Sequence, residues 1–437
     1  MSGTTTAIIG FAVLLLLIAI RMPIGLAMLL TGSVGYISFI GLAPFLNYMK
    51  STPYHLFANY TLSIIPLFIL MGAFAERSGL SADLFRAAAG FFGRRKGGLG
   101  MAVIGASTLF GAICGSSVAT TATFSRAALP ELRRYGYDPA LAGATVAVGG
   151  TLGILIPPSV ILVVYALATE QNIVKLFQAA LIPGLLATLF HCIVLGWVAR
   201  RDPVAAPAVE VDETARGHWR AIWPAVLVAV VVVGGIYGGV FTPTEGAAVG
   251  AVAMLIIGVA RRTLGLAEIR TSLLQTAETT GMIFLILLGA EVFNSFLALS
   301  RLPANAAEAI ASSGFPPLAI LAMFLALYIV LGAVMDELAM ILLTLPVFFP
   351  VISALDFGLP AEEAAIWFGI LVLIVVGIGL VTPPIGLNVF VVGALAKGVP
   401  ITAIYRRVLP FIAIDIVRLL VVTAFPVLAL LLVRVLN

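Results

Sequence analysis

The chain has 437 residues, of which 62% are hydrophobic and only 10% charged, with a mean hydropathy of +1.17. That composition excludes an ordinary soluble globular protein, and the longest polar connection, residues 200–218, leaves no room for a soluble catalytic or nucleotide-binding domain. The net charge of +4 and isoelectric point near 9.2 come from Lys and Arg clustered between apolar runs. This is the positive-inside pattern of a multi-pass protein in a lipid bilayer, and no nucleic-acid partner is implied.

Apolar runs of the roughly 17–25 residues that a bilayer requires occupy 4–20, 24–45 and 56–75. Arg21 and Arg77 mark cytoplasmic ends, which puts the N-terminus outside. The first run lacks a basic lead-in and is followed at once by more membrane sequence, so it reads as a span and not as a signal peptide. Residues 81–95 carry Leu84, Phe85, Ala88, Phe91 and Phe92 at helical spacing opposite Asp83, Arg86 and Arg94, the pattern of an amphipathic interfacial helix. Two apolar arms follow, 98–114 and 118–132, joined by Gly115-Ser116-Ser117 and flanked by Arg94-Arg95-Lys96 and Arg133-Arg134. Entry and exit on one side predict a re-entrant hairpin with a cytoplasmic mouth. Two full spans share that parity, and the short, uncharged tip favours the hairpin.

The next run, 139–168, is interrupted by Ile156-Pro157-Pro158-Ser159. Each proline lacks an N–H and clashes with the carbonyl four residues back, so the run must be two half-helices joined by unwound backbone. At membrane depth such a break survives only where protein or a polar cavity covers it. Spans at 174–198, 219–241, 245–260 and 269–299 complete five crossings, with Arg200-Arg201 and Arg261-Arg262 inside. A second pair of arms, 317–334 and 338–352, joined around Met335-Asp336-Glu337, is flanked by Glu308, Asp356, Glu362 and Glu363 with Arg301, the flank of an opposite-facing hairpin. The run 364–396 repeats the interruption at Thr382-Pro383-Pro384-Ile385, and 401–435 ends the chain outside.

Each break follows, at similar distance, a Gly-Ala stretch ending in proline: Gly111-Ala112 to Pro130, and Gly332-Ala333 to Pro350. Paired interruptions at corresponding positions of two halves point to a secondary transporter's binding site. The expected fold is an all-α polytopic membrane protein of two inverted repeats, with about ten spans, two re-entrant hairpins and two discontinuous helices. Its expected divisions are scaffold helices at 1–80, an arm helix at 81–96, a first transport repeat at 97–173, scaffold at 174–300, a second transport repeat at 301–397 and a scaffold helix at 398–437.

Other chemistry is thin. Cys114 and Cys192 lie in apolar runs without metal-ligand spacing and read as packing residues. The piece 93–100, GRRKGGLG, lacks the lysine and hydroxyl step of a phosphate-binding loop. His55, His191 and His218 read as interfacial, and Asp415 with Arg418 as a structural ion pair. Glu291 and Asn294 lie inside a span, where ion binding and helix pairing are equally open. No nucleophile, base and orienting acid converge, so the chain is not expected to be an enzyme.

Several motifs fall in a fixed order: Arg21-Met22-Pro23-Ile24-Gly25, Ile65-Pro66-Leu67-Phe68, Gly111-Ala112-Ile113-Cys114-Gly115-Ser116, Gly136-Tyr137-Asp138-Pro139, Ile156-Pro157-Pro158-Ser159, Lys175-Leu176-Phe177, Ile182-Pro183-Gly184, Thr242-Pro243-Thr244-Glu245 and Gly379-Leu380-Val381-Thr382-Pro383-Pro384. In this set the chain resembles the large membrane (M) subunit of tripartite ATP-independent periplasmic (TRAP) transporters. The resemblance implies an elevator-type, sodium-coupled symporter in the bacterial inner membrane. It also implies an organic acid received from a periplasmic substrate-binding (P) protein and a small four-helix membrane (Q) subunit as partner. Two departures stand out: Cys114-Gly115-Ser116 replaces the usual Ser-Gly-Ser, and an acid often found a few positions later is replaced among Thr120, Thr121 and Thr123.

Na⁺, the expected coupling ion in place of any nucleotide, is a hard cation that takes several oxygen ligands, which unwound backbone supplies. The first site is expected at Gly115, Ser116, Ser117, Gly150, Thr151 and Pro157, and the second at Gly332, Met335, Asp336, Gly377, Thr382 and Pro383. A carboxylate at an intramembrane tip is costly and marks Asp336 for function, the alternative being a solvated loop acid. The half-helices starting near Ser159 and Ile385 favour an anion. Hydrogen bonds to a carboxylate substrate are expected from Ser116, Ser117, Thr151, Ser159, Thr382 and Asn388. The rival readings are a stand-alone sodium/carboxylate symporter of the divalent-anion type and a non-transporting membrane scaffold or channel subunit.

Overall fold

The computed structural model describes residues 2–208, 222–312 and 314–436; His218 and the first residues of the run expected at 219–241 lie outside the described residues. All regular structure among the described residues is helical. Five helices are long and apolar enough to span a bilayer, Tyr60–Arg77, Ile173–Arg201, Pro243–Ala260, Leu266–Ser300 and Ala361–Gly379, and two bent pairs raise the number to seven. Gly3–Ala19 and Ile24–Ile40 are apolar helices of 17 residues each.

The N-terminal boundaries differ from those expected. Helix Ile24–Ile40 stops at Gly41, whose φ of +90° no helix accommodates. The chain resumes as Leu42–Phe57, which buries no residue and whose apolar positions hydropathy had divided between two spans. The next span therefore starts at Tyr60, on a 3-10 turn whose N-cap, Asn59, accepts from the Thr61 amide at 2.9 Å. A short helix, Leu302–Ala311, precedes the second hairpin, and the last run bends by 53° between Ile401–Ala424 and Val427–Leu436, where Pro426 supplies no N–H.

Two packed groups emerge. In one, Ile24–Ile40 lies along Leu266–Ser300 at backbone distance: a Cβ on Gly32 would stand 2.7 Å from Phe293 Cα, and one on Gly289 2.2 Å from the Gly25 carbonyl. Ile64–Arg77 packs onto Leu266–Ser300, Pro243–Ala260 onto Ile64–Arg77, and Trp223–Tyr237 onto Pro243–Ala260 and the hairpin arm Gly98–Cys114. The other group holds both hairpins and both broken helices. Helices Ile173–Arg201, Ile401–Ala424 and Val427–Leu436, assigned to the scaffold in the sequence reading, pack against the broken helix and hairpin elements. The amphipathic helix Leu80–Phe92 bridges the groups, packing on hairpin arm Gly98–Cys114 while Asp83 pairs with Arg261 at 2.7 Å.

His191 is not interfacial. It is fully buried, its Nε2 lies 3.1 Å from both Asp415 carboxylate oxygens, and Arg418 pairs with Asp415 at 3.0 Å. The cluster ties Ile173–Arg201 to Ile401–Ala424, and a hydrogen-bonded countercharge is what permits an acid at that depth.

Candidate functional site between hairpin tips and helix breaks

The first hairpin consists of Gly98–Cys114 and Ser117–Arg134. Its first arm ends because Gly115 takes φ +64°, and Ser116 caps the second, its Oγ accepting from the Ala119 amide at 3.4 Å. The broken helix beside it starts at Pro139–Leu155, capped by Asp138 through the Leu141 amide at 2.8 Å. It stops where Pro157 and Pro158 withdraw two donors and resumes as Val160–Thr169.

Tip and break meet backbone to backbone. A Cβ on Gly115 would lie 2.9 Å from the Pro158 carbonyl oxygen, one on Gly153 2.8 Å from the Ser116 oxygen, and one on Gly150 3.1 Å from the Ser117 oxygen. No side chain fits on these glycines, and Thr121 Oγ1 and Thr120 Oγ1, 1.8 and 2.8 Å from the Gly150 and Gly153 Cβ positions, join the carbonyls that line the seam. The Ser159 Oγ and Thr121 Oγ1 are buried and lack a hydrogen-bond partner among the described residues. The Ser116 carbonyl accepts from the Thr120 amide at 3.1 Å and hydroxyl at 2.7 Å, and these carbonyl and hydroxyl oxygens are of the kind a hard cation takes.

The second hairpin, Pro317–Gly332 and Glu337–Ser353, seats on the second broken helix, Ala361–Gly379 and Leu387–Leu395, by the same means. A Cβ on Gly379 would stand 2.7 Å from Gly332 Cα, as one on Gly111 would stand 2.9 Å from Gly153 Cα. Gly153 and Gly379 each precede the first proline of their break by four residues. The amides of Ile385 and Gly386 donate to the Ala333 carbonyl at 3.2 and 3.3 Å, locking tip to break. The Tyr405 hydroxyl donates to the Pro384 carbonyl at 3.3 Å and to that of Ile385. Both Pro-Pro peptide bonds are cis. The breaks differ in cover: residues 156–159 are buried, whereas Pro383, Pro384 and Ile385 are exposed.

Both tips reach one cavity of about 540 Å³ between the two packed groups. Gly115, Ser116, Asp336 and Glu337 form part of one wall, and Gly72, Glu76, Gln275 and Thr279 part of the other. Arg126 of the first hairpin crosses it to Glu76 at 3.0 Å. Sequence reasoning passed over this pair, although an arginine inside an apolar arm was its signal.

Of the expected site residues, Gly115, Ser116 and Asp336 line the cavity, while Ser117, Gly150, Thr151, Pro157, Gly332, Met335, Gly377, Thr382 and Pro383 lie at the seams behind it or on the second break. Asp336 is half-buried and its Oδ1 caps Glu337–Ser353, accepting from the Leu338 and Ala339 amides at 3.1 Å each. Of the hydroxyls and amide expected to meet substrate, Ser116 alone lines the cavity. The Thr151 and Thr382 hydroxyls bond their own helices, to Val148 O at 2.7 Å and Ile378 O at 2.6 Å. Ser117, Ser159 and Asn388 are fully buried. Glu291 stands on an exposed helix face. Cys114 and Cys192 are free thiols.

This arrangement has relatives. The family model of the tripartite ATP-independent periplasmic transporter DctM component matches residues 11–428. The chain belongs to that family. It is 37% identical over 374 residues to the C4-dicarboxylate TRAP transporter large permease protein DctM of Pseudomonas aeruginosa, covering 85% of this chain and 86% of that one. To the Rhodobacter capsulatus protein of the same name it is 30% identical, covering 97% and 98% of the two chains. The isethionate TRAP transporter permease protein DctMQ of Oleidesulfovibrio alaskensis is 31% identical, with 95% of this TRAP permease matching 64% of that longer chain. The fold resembles the crystal structure of the Alcanivorax borkumensis YdaH transporter, with a TM-score of 0.63 and 15% identity over 88% of this chain and 89% of that one.

Proposed function

We propose that this TRAP large permease carries an organic acid inward with Na⁺ as the coupling ion, taking its substrate from a periplasmic binding protein and working beside a separate small membrane subunit. The observation that carries this reading is the repeated seating of a hairpin tip on a Pro-Pro break, with both tips reaching one cavity. Carbonyls at the first seam, from Ser116, Ser117 and Pro158, and the unpartnered Ser159 hydroxyl supply oxygens for one ion. The unwound stretch around Thr382 and Pro383 with the tip at Met335 and Asp336 supplies the other. Relatives named for C4-dicarboxylate, isethionate and sialic acid all concern organic acids, which favours an anionic substrate at the cavity.

In this reading the hairpins and broken helices, with Ile173–Arg201 and the C-terminal helices packed on them, slide as one body against the group built on Ile24–Ile40 and Leu266–Ser300. In this reading the cavity, lined by Glu76 beside Arg77 and by Gln275 near Arg270, opens to the cytoplasm and both termini lie outside, an orientation that the basic residues at those helix ends support. Uptake in proteoliposomes tests it. Accumulation should require an inward sodium gradient, the small subunit and a substrate-loaded binding protein together. Uptake by this chain alone would favour a stand-alone symporter, and no uptake under any combination would favour a scaffold subunit.

A further inference from the structure

The two seams are joined by one side chain. Asn388, the second residue of the half-helix that leaves the second break, points across the molecule into the first repeat. Its Nδ2 donates to the Ser117 Oγ at 2.7 Å and to the Ala147 carbonyl at 3.0 Å, and Asn388 and Ser117 are each fully inaccessible. Ser117 opens the second arm of the first hairpin, and its carbonyl is one of the oxygens of the first seam. Ala147 lies on the first broken helix, one turn before Gly150 and Thr151. Next to this link Gly377 meets Thr151, where a Cβ on the glycine would stand 3.7 Å from the threonine Cβ. The Asn388 Oδ1 is buried without a hydrogen-bond partner among the described residues.

We infer that Asn388 is a positioning residue that couples the two ion sites, making sodium binding at one raise affinity at the other. The proposal rests on the sodium-coupled reading above. The second break is unwound from Leu380 to Gly386, so an ion held there fixes the start of Leu387–Leu395 and with it Asn388. A fixed amide group holds the Ser117 hydroxyl and the Ala147 carbonyl in place, and so fixes the first tip against the first broken helix before its own ion arrives. Coupling is reciprocal: whatever the second ion contributes to the first, the first contributes to the second. Two buried hydrogen bonds from one amide are a sufficient physical carrier, because breaking them leaves donors and acceptors unsolvated.

The test is a sodium titration of the purified permease, read by sodium-dependent thermal stabilisation, together with sodium-driven uptake in the complete three-component system. The natural chain should titrate with a Hill coefficient above one in both. Asn388→Leu, which keeps the branched side-chain shape and removes the amide, should lower the coefficient to about one and raise half-saturation about five-fold, the equivalent of one buried hydrogen bond. The double variant Asn388→Leu with Ser117→Ala should be less than additive with the single variants in half-saturation. Asn388 variants that reduce expression or maximal uptake with unchanged Hill coefficient and half-saturation would overturn the coupling and leave Asn388 a packing residue. If the natural chain shows no sodium response at all, the sodium-coupled reading itself falls, a result distinct from the first.

Discussion

The contact between Gly332 and Gly379 sets up a sharp perturbation. A Cβ on Gly379 would lie 2.7 Å from Gly332 Cα and from its carbonyl carbon, where ordinary contact begins near 3.4 Å, so Gly379→Ala must move hairpin and helix apart by about 0.7 Å. The two bonds that lock the tip, from Ile385 and Gly386 to the Ala333 carbonyl, are already 3.2 and 3.3 Å long and start one residue from that contact. Lengthened by about 0.7 Å they pass outside hydrogen-bond range. Overpacking costs about 1–3 kcal/mol and each lost bond about 1 kcal/mol, so if about 1.4 kcal/mol falls on the bound state, half-saturating sodium rises about tenfold. Gly281→Ala is the control, since nothing stands within 4 Å of its Cβ position and alanine favours the helix. Sodium-driven uptake at matched membrane expression measures both. Gly379→Ala with the sodium curve of Gly281→Ala would refute the claim that this backbone contact shapes the site.

Two further outcomes follow from named contacts. Asparagine caps a helix about as well as aspartate, so Asp336→Asn should keep Glu337–Ser353 intact and raise half-saturating sodium through lost charge, whereas Asp336→Ala should also lower thermal stability by about 1 kcal/mol; equal sodium curves for Asp336→Asn and the natural chain would make the residue a cap only. The Glu76–Arg126 pair joins the two packed groups at 3.0 Å with the arginine largely exposed, so Arg126→Gln should shift cavity accessibility by only about two- to five-fold, with the exchanged pair Glu76→Arg and Arg126→Glu restoring it; labelling of Ala122→Cys in a background without native cysteines reads the shift, and an identical labelling rate in Arg126→Gln would show that the pair does not bias the conformations.

The parts legible in the sequence were those that covalent rules dictate. Consecutive prolines forbid a continuous helix whatever surrounds them, so both breaks stand where Pro157-Pro158 and Pro383-Pro384 put them. The hairpin ends followed from Gly115 and from an aspartate preceding Glu337–Ser353. What hydropathy blurred was the neighbourhood of Gly41, because Leu42–Phe57 is apolar enough to be divided between flanking spans although it buries nothing. Side-chain roles were harder still. A hydroxyl near a break looks free in sequence, yet Thr151 and Thr382 each bond a carbonyl three or four residues back, as helical threonine commonly does. Partnerships across hundreds of residues, such as Asn388 with Ser117 or His191 with Asp415, leave no trace in local spacing.

The inequality of the two breaks bears on how such a molecule would cycle. Built from the same elements, they differ in cover: the first is sealed beneath its hairpin and the second exposes Pro383, Pro384 and Ile385, with the Tyr405 hydroxyl on two of its carbonyls. A phenol on carbonyls that a cation would otherwise need is a neutral substitute for that cation: it satisfies the freed oxygens and leaves with little cost when a stronger partner arrives. In the sodium-coupled, inward-open reading proposed above, the open break would be the one that exchanges its ion with the cytoplasm, and the sealed break would depend on the first hairpin for access. Asn388 lies two residues past Gly386, the last unwound residue of the open break, and its side chain ends on Ser117 and Ala147 of the first hairpin and first broken helix. Ion loss at the exposed seam would thereby loosen the buried seam next, giving the two releases an order that neither half, taken alone, would impose.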